Sequence, residues 1–165
     1  MRNAIVQENR IRFEEDLKLA EDQIFIMTVM SNAERLQAID SSYYYYYYNQ
    51  GSATNNEQIE DIVRTAYRGI EFGKQYPLFA FRMDSLVLWF VEKLLWRRCY
   101  KEARRILMSF KPEHYKMRPW PTIWMVKVSR YSTGLAIAVW TMAFPVYLVL
   151  EKFGSVTTNL FKQKK

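Results

Sequence analysis

The chain predicts an all-α fold, an extended helical extramembrane part followed by one C-terminal transmembrane helix. Two observations carry that prediction. Residues 131–150, YSTGLAIAVWTMAFPVYLVL, form a run of twenty without a charged side chain. Elsewhere, apolar residues recur at the three- and four-residue steps of an amphipathic helix. At about 1.5 Å of rise per residue, the uncharged run would span roughly 30 Å, the thickness of a bilayer's hydrocarbon core. Lys127 and Arg130 precede the run, and Glu151 and Lys152 follow it. This placement matches a spanning helix, because a charge at the bilayer centre is costly. A buried core helix would ordinarily keep a polar side. This run offers only Ser132, Thr133, Thr141 and Tyr147. Pro145 is tolerated in lipid where a neighbouring hydroxyl relieves the freed backbone carbonyl, and Thr141 stands four residues before it. A kink is expected there. Trp120, Trp124 and Tyr131 are the expected interfacial anchors, because amphipathic rings favour the headgroup layer.

Ahead of the span, residues 1–40 read as an N-terminal helical segment. Within it, 8–39 is a helix or helix pair built on Phe13, Leu17, Ile24, Met27, Met30 and Leu36. Its apolar side packs either on the chain's own second helix or on a neighbouring subunit. Residues 41–56, SSYYYYYYNQGSATNN, form a low-complexity linker with neither helical nor alternating periodicity. The tyrosine run is either a repeat tolerated in a loop or an aromatic strap on a partner's surface. Residues 57–118 form a helical basic segment. Its first helix, 56–75, has Asn56 as a candidate cap and Glu57, Glu60 and Asp61 near its N-terminus. Ile59, Val63, Ala66 and Ile70 would make its buried stripe, and Gly73 and Pro77 would end it. Residues 119–130 form an interfacial segment, 131–150 the span and 151–165 a basic tail.

The stretch 81–110 reads as one helix that changes character. Met83, Leu86, Val87, Phe90 and Leu94 share a face, and the same steps lead on to Arg97, Arg98, Lys101, Arg104 and Arg105. Three uses of that cationic end are open. It could be solvated or neutralised by the chain's own acidic half. It could contact anionic phospholipid such as cardiolipin, with Trp96 at the interface. It could bind RNA or another polyanion, although no nucleic-acid module surrounds it.

The net charge of +7 is unevenly spread. Residues 1–61 hold five Lys/Arg and eleven Asp/Glu, whereas residues 62–165 hold nineteen and six. That contrast suits anionic headgroups or acidic partners, or an acidic half folded back on a basic one. The first twenty residues lack a long apolar core and carry Glu8, Glu14, Glu15 and Asp16, unlike a secretory signal or a mitochondrial presequence. Either a targeting segment has already been lost or the chain is addressed by internal signals, such as the transmembrane helix itself, and the second is the expectation.

The sequence offers no catalytic centre. Cys99 is the single cysteine, so neither an internal disulfide nor a thiolate metal site is expected, and no acid or histidine is arranged to make it a nucleophile. His114 is the single histidine and lacks a second ligand at metal-binding spacing. The five glycines form no phosphate-binding loop. Glu14–Glu15 and Glu21–Asp22 read as the solvated face of a charged helix. No cofactor and no small-molecule substrate are expected.

Over Tyr67, Arg68 and Phe72, the stretch VRTAYRGIEFGKQYP resembles the Leu-Tyr-Arg family of small helical mitochondrial accessory and assembly proteins. Ala66 stands where that family has its leucine, and no acyl-carrier-protein partner follows from so short a match. In architecture the chain resembles single-pass accessory subunits around the catalytic cores of mitochondrial respiratory complexes or ATP synthase. That resemblance implies a non-catalytic scaffold of the inner membrane whose partners are other subunits and anionic phospholipid. In this reading 131–150 anchors, the 81–110 helix docks at the membrane surface and 1–56 straps onto neighbours. The alternative is a membrane-tethered protein that binds RNA or ribosomes, although nucleic acid is the less expected partner. Four cations precede the span (Lys116, Arg118, Lys127, Arg130) and four follow it (Lys152, Lys162, Lys164, Lys165), so charge leaves the topology balanced. A matrix-side N-terminal part is the preferred orientation.

Overall fold

The computed structural model describes residues 3–37 and 57–162, with side chains described up to residue 152. The tyrosine-rich linker 41–56, with Asn56, and most of the 151–165 tail's side chains lie outside the described residues. Among those described, the structure is all-helical, with seven α-helices and no strand. The helices are α1 (Asn3–Glu8), α2 (Glu21–Ser31), α3 (Ile59–Gln75), α4 (Ala80–Trp96), α5 (Tyr100–Ser109), α6 (Trp120–Ser129) and α7 (Thr133–Lys162). The last contains Thr133–Lys152, the one described stretch long and apolar enough to cross a membrane.

Helices α3 and α4 form the central hairpin, joined by a short 3-10 turn at Pro77–Phe79. They approach closely because Gly69 and Gly73 lie between them. A Cβ on Gly69 would stand 3.1 Å from Val87, and one on Gly73 would stand 3.2 Å from Met83. Gly73 thus serves the helix–helix contact, and the helix runs past it to Gln75 before Pro77 begins the turn. The core around them is mainly apolar, with Ile62, Phe72, Leu88, Phe90 and Leu94 all fully buried. Of the expected stripe on α3, Ala66 and Ile70 are buried, while Ile59 and Val63 are partly covered.

The N-terminal segment is not one helix. Between α1 and α2 the chain runs irregularly, with left-handed backbone at Arg10 (φ 53°) and Ala20 (φ 56°). Contacts to α3 outcompete local helix there. Arg64 donates to the Asp16 carbonyl at 2.8 Å, and Thr65 donates to the Leu19 carbonyl at 3.3 Å. Arg68 grips the Glu14 carboxylate through Nε at 2.7 and 2.8 Å. This pairing holds Arg68 still further above its already high ordinary pKa, the Glu14 hydrogen bond being the main cause. Glu14 is therefore an ion-pair partner and not part of a solvated face. Leu17, Ile24 and Met27 join the common core, while Phe13 and Leu36 remain exposed. The described part of 1–56 thus packs on its own chain.

The 81–110 helix is also divided. Helix α4 stops at Trp96 and α5 starts at Tyr100. Arg98 takes the left-handed conformation (φ 59°), its N–H bonds the Leu95 carbonyl at 3.0 Å, and the Cys99 N–H bonds the Leu94 carbonyl at 2.8 Å. These two bonds are the Schellman arrangement that closes a helix C-terminus. The apolar face of α4 consequently does not continue into a cationic one. Instead α5 buries Ala103, Ile106 and Leu107.

Candidate membrane interface

Three buried carboxylates organise the part of the molecule that carries α7. Glu57, just before α3, accepts from Lys93, lies 3.6 Å from the Arg97 guanidinium, and its main-chain carbonyl takes a further Arg97 bond at 2.7 Å. Asp84 on α4 accepts the N–H groups of Glu113 and His114, both at 2.9 Å, and lies 3.0 Å from His114 Nδ1. That set fastens the loop between α5 and α6. Glu92 pairs with Arg118 and accepts from Thr122 Oγ1 at 2.5 Å. Thr122 in turn receives the Trp140 indole N–H at 3.4 Å. A polar chain therefore links α4, the loop before α6, α6 and α7. A charge withdrawn from water costs several kcal/mol without such pairing, so each carboxylate specifies which segments meet.

Helix α7 lies along α6 and also touches α5. Its docked stripe is narrow: Ala136, Trp140 and Phe144 are buried, and Ile137, Tyr147 and Leu148 are partly covered. Trp96, at the end of α4, meets Trp140 and Phe144 edge-on, with ring centroids 6.0 and 5.4 Å apart. The opposite side is apolar and open. Leu135 is 56% exposed, Met142 68% and Val149 53%, and these residues stand seven apart on one line. Pro145 sits inside an uninterrupted helix, and the Thr141 hydroxyl bonds the Ile137 carbonyl at 2.8 Å.

The expected anchors lie on α6 and in the link that follows it. Trp120 and Trp124 lie on the outer side of α6, and Lys127 stands 5.6 Å from the Trp124 ring centroid. Tyr131, in the link to α7, is 93% exposed. The five expected cations do not act together. Arg97 belongs to the Glu57 pairing, whereas Arg98, Lys101, Arg104 and Arg105 are exposed and have no partner among the described residues. Sequence reasoning placed Glu57 at the start of a helix but not in an ion pair, and it passed over Asp84 and Glu92, whose only sequence signal is a lone acid within an otherwise apolar stretch.

Two further features bear on chemistry. An open groove of about 450 Å³ lies between α3, α4 and the segment after α5, lined in part by Lys74, Met83, Asp84, Phe110 and His114. Of its two acids, Asp84 and Glu113, the first is already engaged by the loop. Among the described residues, no group of three or more His, Cys, Asp or Glu side chains could hold a metal ion. No protein-family model, curated protein or solved structure matches the chain.

Proposed function

We propose that this protein is a non-catalytic accessory subunit of a large membrane-protein complex, held to the bilayer through α7. One observation carries the reading. Thr133–Lys152 is long and apolar enough to cross a membrane, and it keeps most of its apolar side chains on the outside of the fold. A water-soluble domain rarely leaves a contiguous apolar surface of that kind uncovered. In the assembled complex α7 crosses the membrane once, and the helical body braces neighbouring subunits and lipid. The mitochondrial inner membrane is the proposed location, on architectural resemblance to accessory subunits of respiratory complexes and ATP synthase. Anionic phospholipid such as cardiolipin is the proposed lipid partner.

Blue-native separation of detergent-solubilised mitochondria after a high-salt wash tests this reading, with the chain followed by mass spectrometry. Co-migration with one large membrane complex is expected. A second reading, a membrane-tethered binder of RNA or ribosomes, draws on four exposed cations, Arg98, Lys101, Arg104 and Arg105, that have no partner among the described residues. Release by salt would favour it, because polyanion binding weakens steeply as ionic strength rises.

A further inference from the structure

The docked position of α7 constrains how the folded chain can meet a bilayer. Trp140, near the middle of Thr133–Lys152, is hydrogen-bonded to Thr122, which is hydrogen-bonded to the Glu92 carboxylate paired with Arg118. If α7 crossed the hydrocarbon with the body attached, that ion pair would sit beside the centre of the span. Ions at that depth are heavily penalised. Met125, Val126 and Ala136, all buried, show that the body also flanks the α6 end of the helix. Lipid can therefore reach docked α7 only along its open side.

We infer that the folded chain binds an anionic bilayer side-on, with α6 and α7 lying in the headgroup–acyl boundary. The inference rests on the membrane reading above and adds the mode of contact while α7 stays docked. Three observations carry it. First, the open line Leu135, Met142 and Val149 extends over fifteen residues, so it can be immersed evenly only by a surface parallel to the helix. Interfacial helices sink about 5–10 Å in this way. Second, Trp120 and Trp124 are exposed on α6, which packs along α7, and Tyr131 is exposed in the link between the two helices, with Lys127 near the Trp124 ring, which is the side-chain chemistry of a headgroup layer. Third, residues 114–150 contain no Asp or Glu, while Lys116, Arg118, Lys127 and Arg130 are all cationic. Among the described residues, only Arg118 of these four is paired with an acid, Glu92. Anionic headgroups would thus meet attraction without a like-charged neighbour. Crossing is a separate state that requires α7 to leave the body.

The test uses the full chain on a Cys99→Ser background, with single cysteines at Leu135→Cys, Met142→Cys or Val149→Cys, each carrying a nitroxide. Variants are mixed with preformed vesicles of phosphatidylcholine and cardiolipin (4:1), or of phosphatidylcholine alone. Depth is read by power saturation against oxygen and a water-soluble nickel chelate. The expected result is one shallow depth for all three positions and at least tenfold weaker binding without cardiolipin. A deep Met142→Cys label between shallow Leu135→Cys and Val149→Cys labels would overturn the inference while leaving membrane attachment intact. Labels that stay aqueous on bound protein, or binding indifferent to cardiolipin, would overturn it as well. Absence of binding to either vesicle would overturn both the inference and the membrane reading. Independently of labelling, the unsubstituted chain with a C-terminal epitope should lose both epitope and body to external protease. Protection of either one would count against the side-on mode.

Discussion

Removing the Glu92 carboxylate would leave the Arg118 guanidinium with its counter-ion gone and Thr122 without its acceptor. Breaking a buried pair from one side typically costs about 3–5 kcal/mol. Glu92→Ala should lower unfolding stability by that amount, and Glu92→Gln, which still accepts from Thr122, by less. Urea unfolding in mild detergent measures both, and equal losses would mean the charge is immaterial. Arg98 offers the opposite sign. A non-glycine residue in the left-handed region is disfavoured by roughly 1–2 kcal/mol, and the C-terminal closure of α4 places Arg98 there. Arg98→Gly should raise stability by about 0.5–1 kcal/mol, glycine's extra freedom in the unfolded chain offsetting part of the gain. At this scale the sequence was only half legible. Arg98, Lys101, Arg104 and Arg105 are exposed as their composition suggests, whereas Arg97 is not a free cation. Its partner, Glu57, lies forty residues earlier, and no local pattern encodes a pairing made across two helices.

Among the elements, the apolar part of α7 was the most readable, because an uncharged run of this length has few uses and charges bound it on both sides, although the helix itself runs on past Glu151 and Lys152 to Lys162. What escaped the reading is its association with α6. Trp140 is 3% exposed, stacks on Phe144 at 4.5 Å and meets Trp96 edge-on. Trp140→Ala should cost about 3–5 kcal/mol where α7 is docked, and it should increase proteolysis in the link 130–132. Unchanged proteolysis would mean that α7 is held by α6 alone. The divided helices have a common explanation. No proline or glycine interrupts 81–110 or 8–31, so periodicity carries on across both breaks. The breaks are made by left-handed residues that are not glycine, at Arg10, Ala20 and Arg98, each held by surrounding contacts.

Across the whole molecule, the charge contrast between the two parts of the chain acts partly within the fold. Glu14 meets Arg68, and Glu57 meets Lys93 and Arg97, so acids of the first 61 residues neutralise bases of the remainder. The uncommitted excess is left on α5 and around α6. Replacing Arg98, Lys101, Arg104 and Arg105 together by glutamine should weaken binding to cardiolipin-containing vesicles at least about tenfold, since each basic residue near an anionic surface contributes about 1 kcal/mol. Thermal stability should hardly change, because none of the four has a partner among the described residues. Sedimentation with vesicles at two salt concentrations reads the effect, and unchanged binding would assign lipid contact to α6 and α7 alone. By itself the sequence determined the helical class, the candidate span and the aromatic residues beside it, because these depend on composition and short-range spacing. The tertiary structure decided which cations are free, where helices end and which side of α7 remains open. Those outcomes depend on contacts between residues distant in the chain, and the cost of burying Glu57, Asp84 and Glu92 without partners selects among them.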